Sequence, residues 1–160
     1  MEKYSFTWLN LENEYRSIID DGYKIITCQD YVRLKKNLPN KVLVNRIDID
    51  LSVKKVINLL DVFDKLSIKG TFFLRLHASE YNPFSFENYR VIKRLLDSGH
   101  ELGYHSEIVD QSIIWNEEAE DCLKRDLMVL GNMFNYKVKS VASHGGNTGF
   151  NNLDFWKSRT

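Results

Sequence analysis

The sequence is poor in the features that mark disordered, membrane-spanning or nucleic-acid-binding chains. It has only two prolines, so no Pro-rich linker is expected. No run of about 18 apolar residues is present, which excludes a predicted transmembrane helix. The 22 basic residues balance the 22 acidic ones, which argues against a general nucleic-acid binder. The first residues lack the basic and apolar regions of a secretory signal, so we expect a cytoplasmic protein.

Cysteine is scarce as well. Cys28 and Cys122 lie far apart and have no CxxC spacing, which predicts reduced, buried thiols in a cytosolic protein. What the chain does have is enough apolar content for a real core, with 43% hydrophobic residues in a length of 160. We therefore predict a single domain over residues 1–160.

Helical and strand-like segments alternate along the chain. The predicted strands are 23–27, 41–49, 71–74, 101–105 and 138–143. The predicted helices are 8–21, 29–36, 53–67 (with Ser52 as its N-cap), 87–98 and 117–134, and the predicted loops are 77–86 and 106–115. Short apolar strands separated by helices indicate a parallel sheet with outer helices, in an open sheet or a (β/α) barrel. Functional groups then gather at the C-terminal ends of the strands.

The segment 42–51, V-L-V-N-R-I-D-I-D-L, starts as a hydrophobic strand and ends in acid. Side chains alternate across a strand, so Arg46, Asp48 and Asp50 should point to one face. Two carboxylates on one face suit a metal or proton-transfer site better than a core. One acid would bind a metal and the other would act as a general base, held ionised by Arg46. The alternative for Asp50 is an acid that favours the dipole of the following helix.

Two histidines stand at predicted strand ends. His105 closes E-L-G-Y-H, where Gly103 should clear space on the same face. His144 lies in S-H-G-G, whose paired glycines indicate a tight turn or a close approach of backbone to a ligand. Either histidine could instead be hydrogen-bonded or capping, but the end of a parallel sheet favours metal binding.

Other polar and aromatic residues leave alternatives open. Glu107 and Asp110 are either further ligands or solvated loop acids. His100 lies at the opposite end of its strand and is predicted to be structural, whereas His77 could line the same rim as the site. An aromatic cluster after the T-F-F-L strand predicts either a sugar-stacking rim or ordinary packing. Its members are Tyr81, Phe84, Phe86 and Tyr89.

Three motifs, V-L-V-N-R-I-D-I-D, K-G-T-F-F-L and G-H-E-L-G-Y-H-S, resemble in order and spacing the polysaccharide deacetylase (NodB-homology) family. With S-H-G-G, they are closer to its divergent branch with R-x-D-x-D and S-x-H-G motifs, found among surface-polysaccharide biosynthesis proteins. The resemblance runs from about residue 22 to residue 146. It implies a distorted (β/α) barrel and metal-dependent removal of N- or O-acetyl groups from sugars.

The resemblance also implies roles for individual residues. Asp48 would be the catalytic base beside Arg46, while Asp50 and His105 would bind a divalent metal, most simply zinc. Val109 stands where the family at large has a second histidine. The third ligand is therefore open, with His144 favoured over Glu107 and Asp110.

The family fold continues for several further β/α units and supplies a late histidine as general acid. The roughly five strands predicted here cannot close a barrel of seven or eight. We expect an incomplete, C-terminally truncated barrel whose open edge favours self-association. The predicted function is a metal-dependent carbohydrate deacetylase in cell-surface polysaccharide metabolism. The alternative is an inactive or fragmentary deacetylase-fold protein that serves as a binding module.

Overall fold

The computed structural model describes residues 5–157, in which parallel strands curl into a half-barrel flanked by helices. The helices are Trp8–Asp20 (α1), Cys28–Leu34 (α2), Val56–Leu66 (α3), Phe86–Asp97 (α4), Ile108–Trp115 (α5), Ala119–Phe134 (α6) and Asp154–Lys157 (α7). The strands are Lys24–Ile26 (β1), Val42–Val44 (β2), Arg46–Ile49 (β3), Thr71–Leu74 (β4), Glu101–Ser106 (β5) and Val141–Ser143 (β6).

The strands form two sheets with only parallel pairing. One has the order β1-β2 and the other the order β3-β4-β5-β6. A helix follows most strands and carries the chain back, which is the connection that parallel pairing requires. The predicted α/β class and incomplete barrel are confirmed.

The prediction of one continuous strand over 41–49 is wrong, because the chain passes from one sheet to the other at Asn45 and forms two strands, β2 and β3. The Asn45 amide donates to the Ile26 carbonyl, and its own carbonyl accepts from Thr71, so it joins β1 to β4. Its buried side chain accepts from the Tyr15 hydroxyl at 2.6 Å and donates to the Lys69 carbonyl at 3.2 Å. The polar side chain is thus satisfied at the point where the strand divides.

The predicted loop 106–115 is also wrong, because most of it is helix α5. Its first residue, Ile108, is fully buried in the core. The amides of Val109 and Asp110 donate to the side-chain oxygen of Asn152, which caps the helix from a distant segment. Two other elements begin three residues later than predicted, and the remaining bounds differ by at most two residues. Helix α3 begins at Val56 with Lys55 as its N-cap, so the prediction of Ser52 as the N-cap is wrong, and β6 begins at Val141.

The core lies between the sheet and the outer helices. Along β3, Ile49 is buried toward that core, while Arg46 and Asp48 lie on the opposite face of the strand and stay exposed. Other fully buried core side chains come from the strands and helices, including Leu60, Phe63, Phe72, Leu74, Ile92, Leu95, Leu102, Tyr104 and Leu130. Each contributes about 1.5–3 kcal/mol by its burial. The alternation therefore fixes the face on which the acids lie.

Two further expectations concern cysteines and membranes. Both cysteines are free, but only Cys122 is buried, whereas Cys28 is partly exposed. Among residues 5–157, no helix combines the length and the apolar character needed to cross a bilayer.

Candidate active site

The first acid of the R-I-D-I-D segment is held by the arginine beside it. Nε and Nη2 of Arg46 donate to the two carboxylate oxygens of Asp48, each at 2.8 Å. This pairing raises the pKa of Arg46, so the guanidinium stays charged. The guanidinium also covers the Phe73 ring at 5.2 Å from its centroid. A Cβ at Gly103 would come within 2.5 Å of that ring, so Phe73 fills the space expected beside His105.

His105 is buried at the C-terminal part of β5, and its two ring nitrogens have different partners. Nδ1 lies 3.0 Å from the Ala142 carbonyl, which can only accept, so we place the proton on Nδ1. Nε2 lies 3.5 Å from Oδ2 of Asp48 and 3.4 Å from Oδ1 of Asp50, and in the neutral ring with this tautomer it presents a lone pair to them. Two carboxylates thus converge on this nitrogen, an arrangement that either a proton on Nε2 or a bound cation would stabilise.

The donor atoms fit a metal ion in chemistry and spacing. Oδ1 of Asp50 is buried and has no hydrogen-bond partner. Zinc bonds of about 2.0–2.2 Å in a tetrahedral site separate two ligand atoms by about 3.3–3.6 Å. The 3.4 Å between Asp50 and His105 agrees with this spacing. Within the described part of the chain, however, no three His, Cys, Asp or Glu side chains form a ready-made metal cage.

His144 lies next to His105. Its ring meets that of His105 edge to face, with centroids 5.1 Å apart. Its amide donates to the Ser106 carbonyl, which extends the β5–β6 pairing by one residue. Its Nδ1 is buried without a hydrogen-bond partner and lies 3.5 Å from Oε1 of Glu107.

Glu107 is not the solvated loop acid that one alternative described. It is only 4% exposed and accepts from Nη2 of Arg75 at 2.8 Å, while its other oxygen has no partner. Arg75 also donates to the Asp50 carbonyl at 3.3 Å, so this pair connects His144 to Asp50. The sequence reasoning missed Arg75, although it directly follows β4 at the C-terminal edge that drew attention to His105.

Asp110 is buried as well, which excludes the solvated reading. Its oxygens accept from the Asn147 and Thr148 amides, the Thr148 hydroxyl and the Asn152 side chain. The carboxylate is therefore engaged by the loop that follows β6, and the structure shows no contact from it to His105.

The remaining histidines lie elsewhere. Nδ1 of His100 accepts from the Gly70 amide at 3.2 Å, and its ring packs against Phe63 and Phe72. Burial lowers the pKa of His100 to about 4, so the structural prediction is confirmed.

His77 contacts helices α5 and α6 instead of lining the predicted rim. Its Nε2 lies 3.0 Å from Oδ2 of Asp126, and its ring meets Trp115 edge to face.

Packing explains most of the aromatic cluster. The Tyr81 hydroxyl donates to the Ile49 carbonyl at 2.6 Å. Tyr89 stacks on Phe134 at 5.3 Å, and Phe84 packs against the core. Phe86 differs, since it is 84% exposed.

The fold and the site together define a parallel α/β half-barrel with a His–carboxylate cluster at its C-terminal edge. No family model and no curated protein matches the chain. Among solved structures, it is similar to IcaB from Ammonifex degensii, with a TM-score of 0.67 and 18% identity, over 99% of this chain and 75% of that one. It is also similar to the Streptococcus pyogenes deacetylase PplD in complex with acetate, with a TM-score of 0.58 and 14% identity.

The PplD match covers 81% of this chain, which spans 59% of that protein. At these identities the two likenesses establish the fold, and this chain has a deacetylase-like fold.

Proposed function

We propose that this protein is a metal-dependent hydrolase that removes acetyl groups from a carbohydrate in cell-surface polysaccharide metabolism. The observation that carries the proposal is Nε2 of His105 facing Asp48 and Asp50 with Nδ1 tied to the Ala142 carbonyl. A deacetylase-like fold, shared with a protein in complex with acetate, supports the reaction class.

Asp50 and His105 would hold a divalent cation through Oδ1 and Nε2, with His144 as the third ligand. Mixed nitrogen and oxygen donors suit zinc. When bound, such an ion lowers the pKa of its water to about 7 and polarises a carbonyl. Arg75 supports this set, because it holds both the Asp50 carbonyl and the Glu107 carboxylate beside His144.

Asp48 is the proposed general base. Arg46 orients its carboxylate through both oxygens, and each oxygen keeps a second lone pair that can accept a proton. The Asp48 side chain is 29% exposed, so water and substrate can reach it. Asp48 takes a proton from the attacking water and passes it to the departing sugar nitrogen or oxygen. The bond between the acetyl carbonyl carbon and the sugar nitrogen or oxygen breaks at this step, and acetate leaves.

The proposal is tested by measuring bound metal and acetate release from acetylated oligosaccharides with the purified protein. Asp50→Asn removes a proposed ligand, and Asp97→Asn at the end of α4 is the matched control. We expect zinc binding and acetate release to be lost in Asp50→Asn and kept in Asp97→Asn. A protein without divalent metal, whose Asp50→Asn variant behaves like wild type, would overturn the proposal. Zinc binding without acetate release would favour the binding-module alternative.

A further inference from the structure

The segment that carries His144, here called the His144 loop (residues 144–152), folds back onto the first turn of α5. Asp110 accepts from the Asn147 amide at 3.0 Å and from the Thr148 amide and hydroxyl at 3.0 and 2.7 Å. It also accepts from Nδ2 of Asn152 at 2.8 Å. A single buried carboxylate thus receives hydrogen bonds from both halves of the loop.

Asn152, at the end of the loop, also accepts hydrogen bonds from the backbone of α5. It is fully buried, and its oxygen accepts from the Val109 and Asp110 amides at 2.8 and 3.1 Å. Its nitrogen also donates to the Gly145 carbonyl at 2.7 Å. The side chain of Glu107, the residue before α5, forms no capping hydrogen bond. The loop therefore supplies the cap that α5 lacks, so the helix end and the loop hold each other.

Two glycines of the loop, Gly146 and Gly149, are needed for its folded shape. A Cβ at Gly146 would lie 1.6 Å from the Phe150 carbonyl oxygen, a distance that no side chain tolerates. Of the two alternatives predicted for S-H-G-G, this contact agrees with a tight turn, because the close neighbour is the loop's own backbone. Gly149 has a φ of +89°, a conformation that favours glycine.

The charge of Asp110 makes release of the loop costly. Burial alone would raise the pKa of Asp110, but the hydrogen bonds from Asn152, Thr148 and the loop amides outweigh it and lower the pKa. Asp110 is therefore anionic at neutral pH. A detached loop would leave this buried charge without most of its hydrogen-bond donors.

We infer that Asp110 and Asn152 are positioning residues that fasten the His144 loop to α5 and hold His144 beside His105. Asp110 then acts on the site through His144 and is not itself a ligand. The attachment of the His144 loop to α5 is inferred from contacts within the protein alone, whereas its effect on metal binding rests on the proposed function.

The first test is hydrogen exchange of the metal-free protein. Asp110→Ala should speed exchange of the Asn147 and Thr148 amides by about tenfold or more, because each bond to a charged group is worth roughly one to two powers of ten in local opening. Asp110→Asn, which keeps one acceptor, should have a smaller effect and serves as the milder variant if alanine does not fold.

The matched control is Asp126→Ala on α6. Asp126 is also 3% exposed, and its carboxylate accepts hydrogen bonds from Tyr104, Gln111 and His77, none of which lies in the His144 loop. We expect the control to lower stability without speeding exchange in the loop. Unchanged exchange at Asn147 and Thr148 in both Asp110 variants would overturn the inference, as would equal loosening by Asp126→Ala.

The second test is zinc affinity. Asp110→Ala should weaken zinc binding about tenfold, as expected for a residue that orients a ligand. In the His144→Ala background, it should cause no further loss. Additive losses would show that Asp110 does not act through His144. If the wild type binds no zinc, the proposed function fails, and the exchange rates alone decide whether the loop is fastened.

Discussion

His100 and His105 lie near opposite ends of the same stretch of chain and are almost equally buried, at 4% and 3% exposure. Their neighbours differ completely. His100 is enclosed by Phe63 and Phe72, and its Nδ1 accepts a hydrogen bond from the Gly70 amide. His105 donates from Nδ1 and turns Nε2 toward two acids. Burial alone therefore does not distinguish a histidine packed in the core from one that faces acidic side chains.

What distinguishes them is the edge of the sheet at which each lies. At the N-terminal end of β5, burial disfavours a positive charge and lowers the pKa of His100 to about 4. At the C-terminal end, Asp48 in β3 and Asp50 just after it lie beside His105 and place negative charge there. The same polar edge also receives Arg75, Glu107 and His144.

The largest expected effect comes from replacing His105, with replacement of His100 as the comparison. His105→Ala should lose zinc and lower acetate release to background, a loss of at least about a thousandfold, because the ion and its activated water are lost. His100→Asn, which keeps an acceptor for the Gly70 amide, should retain both properties. Metal content and acetate release check both variants, and an equal loss in His100→Asn would refute the contrast.

The next effect separates the base from the metal ligands. Asp48→Asn should lower kcat by about a hundredfold to ten-thousandfold, as expected when a general base is lost, while zinc binding is retained. Paired assays of kcat and bound zinc test this. A variant that loses zinc together with activity would instead make Asp48 a ligand.

The packed histidine should be visible in the pH dependence of folding. The folded-state pKa of His100 lies below the unfolded value, so the unfolded chain takes up more protons between about pH 6.5 and 4. Its contribution to stability is complete above that window and falls by up to about 3 kcal/mol as the pH decreases through it. Denaturant unfolding at several pH values should show this loss in wild type and a flatter profile in His100→Asn. Equal slopes would contradict the assignment.

The smallest effect belongs to Arg46. Its ion pair with Asp48 is half exposed, so Arg46→Gln should lower kcat by about tenfold or less without changing zinc affinity. Steady-state kinetics and a zinc titration measure the two quantities. An unchanged kcat would mean that Asp48 needs no orientation by Arg46.

The proximity of the residues at the strand ends could be predicted from the sequence because their signals are local. Alternation along β3 and the common edge of parallel strands suffice to bring Asp48, Asp50 and His105 together. Helix α5 escaped prediction because its cap, Asn152, comes from a distant segment. The division at Asn45 likewise depends on partners far along the chain.

We expect Nε2 of His105 to bind a cation while His100 remains neutral and packed. A nitrogen NMR spectrum of the histidine rings, recorded before and after addition of zinc, tests both expectations together. We predict that zinc shifts Nε2 of His105 while its Nδ1 stays protonated, and that the His100 signals do not move. A spectrum in which zinc leaves His105 unchanged, or shifts both histidines alike, would contradict the account.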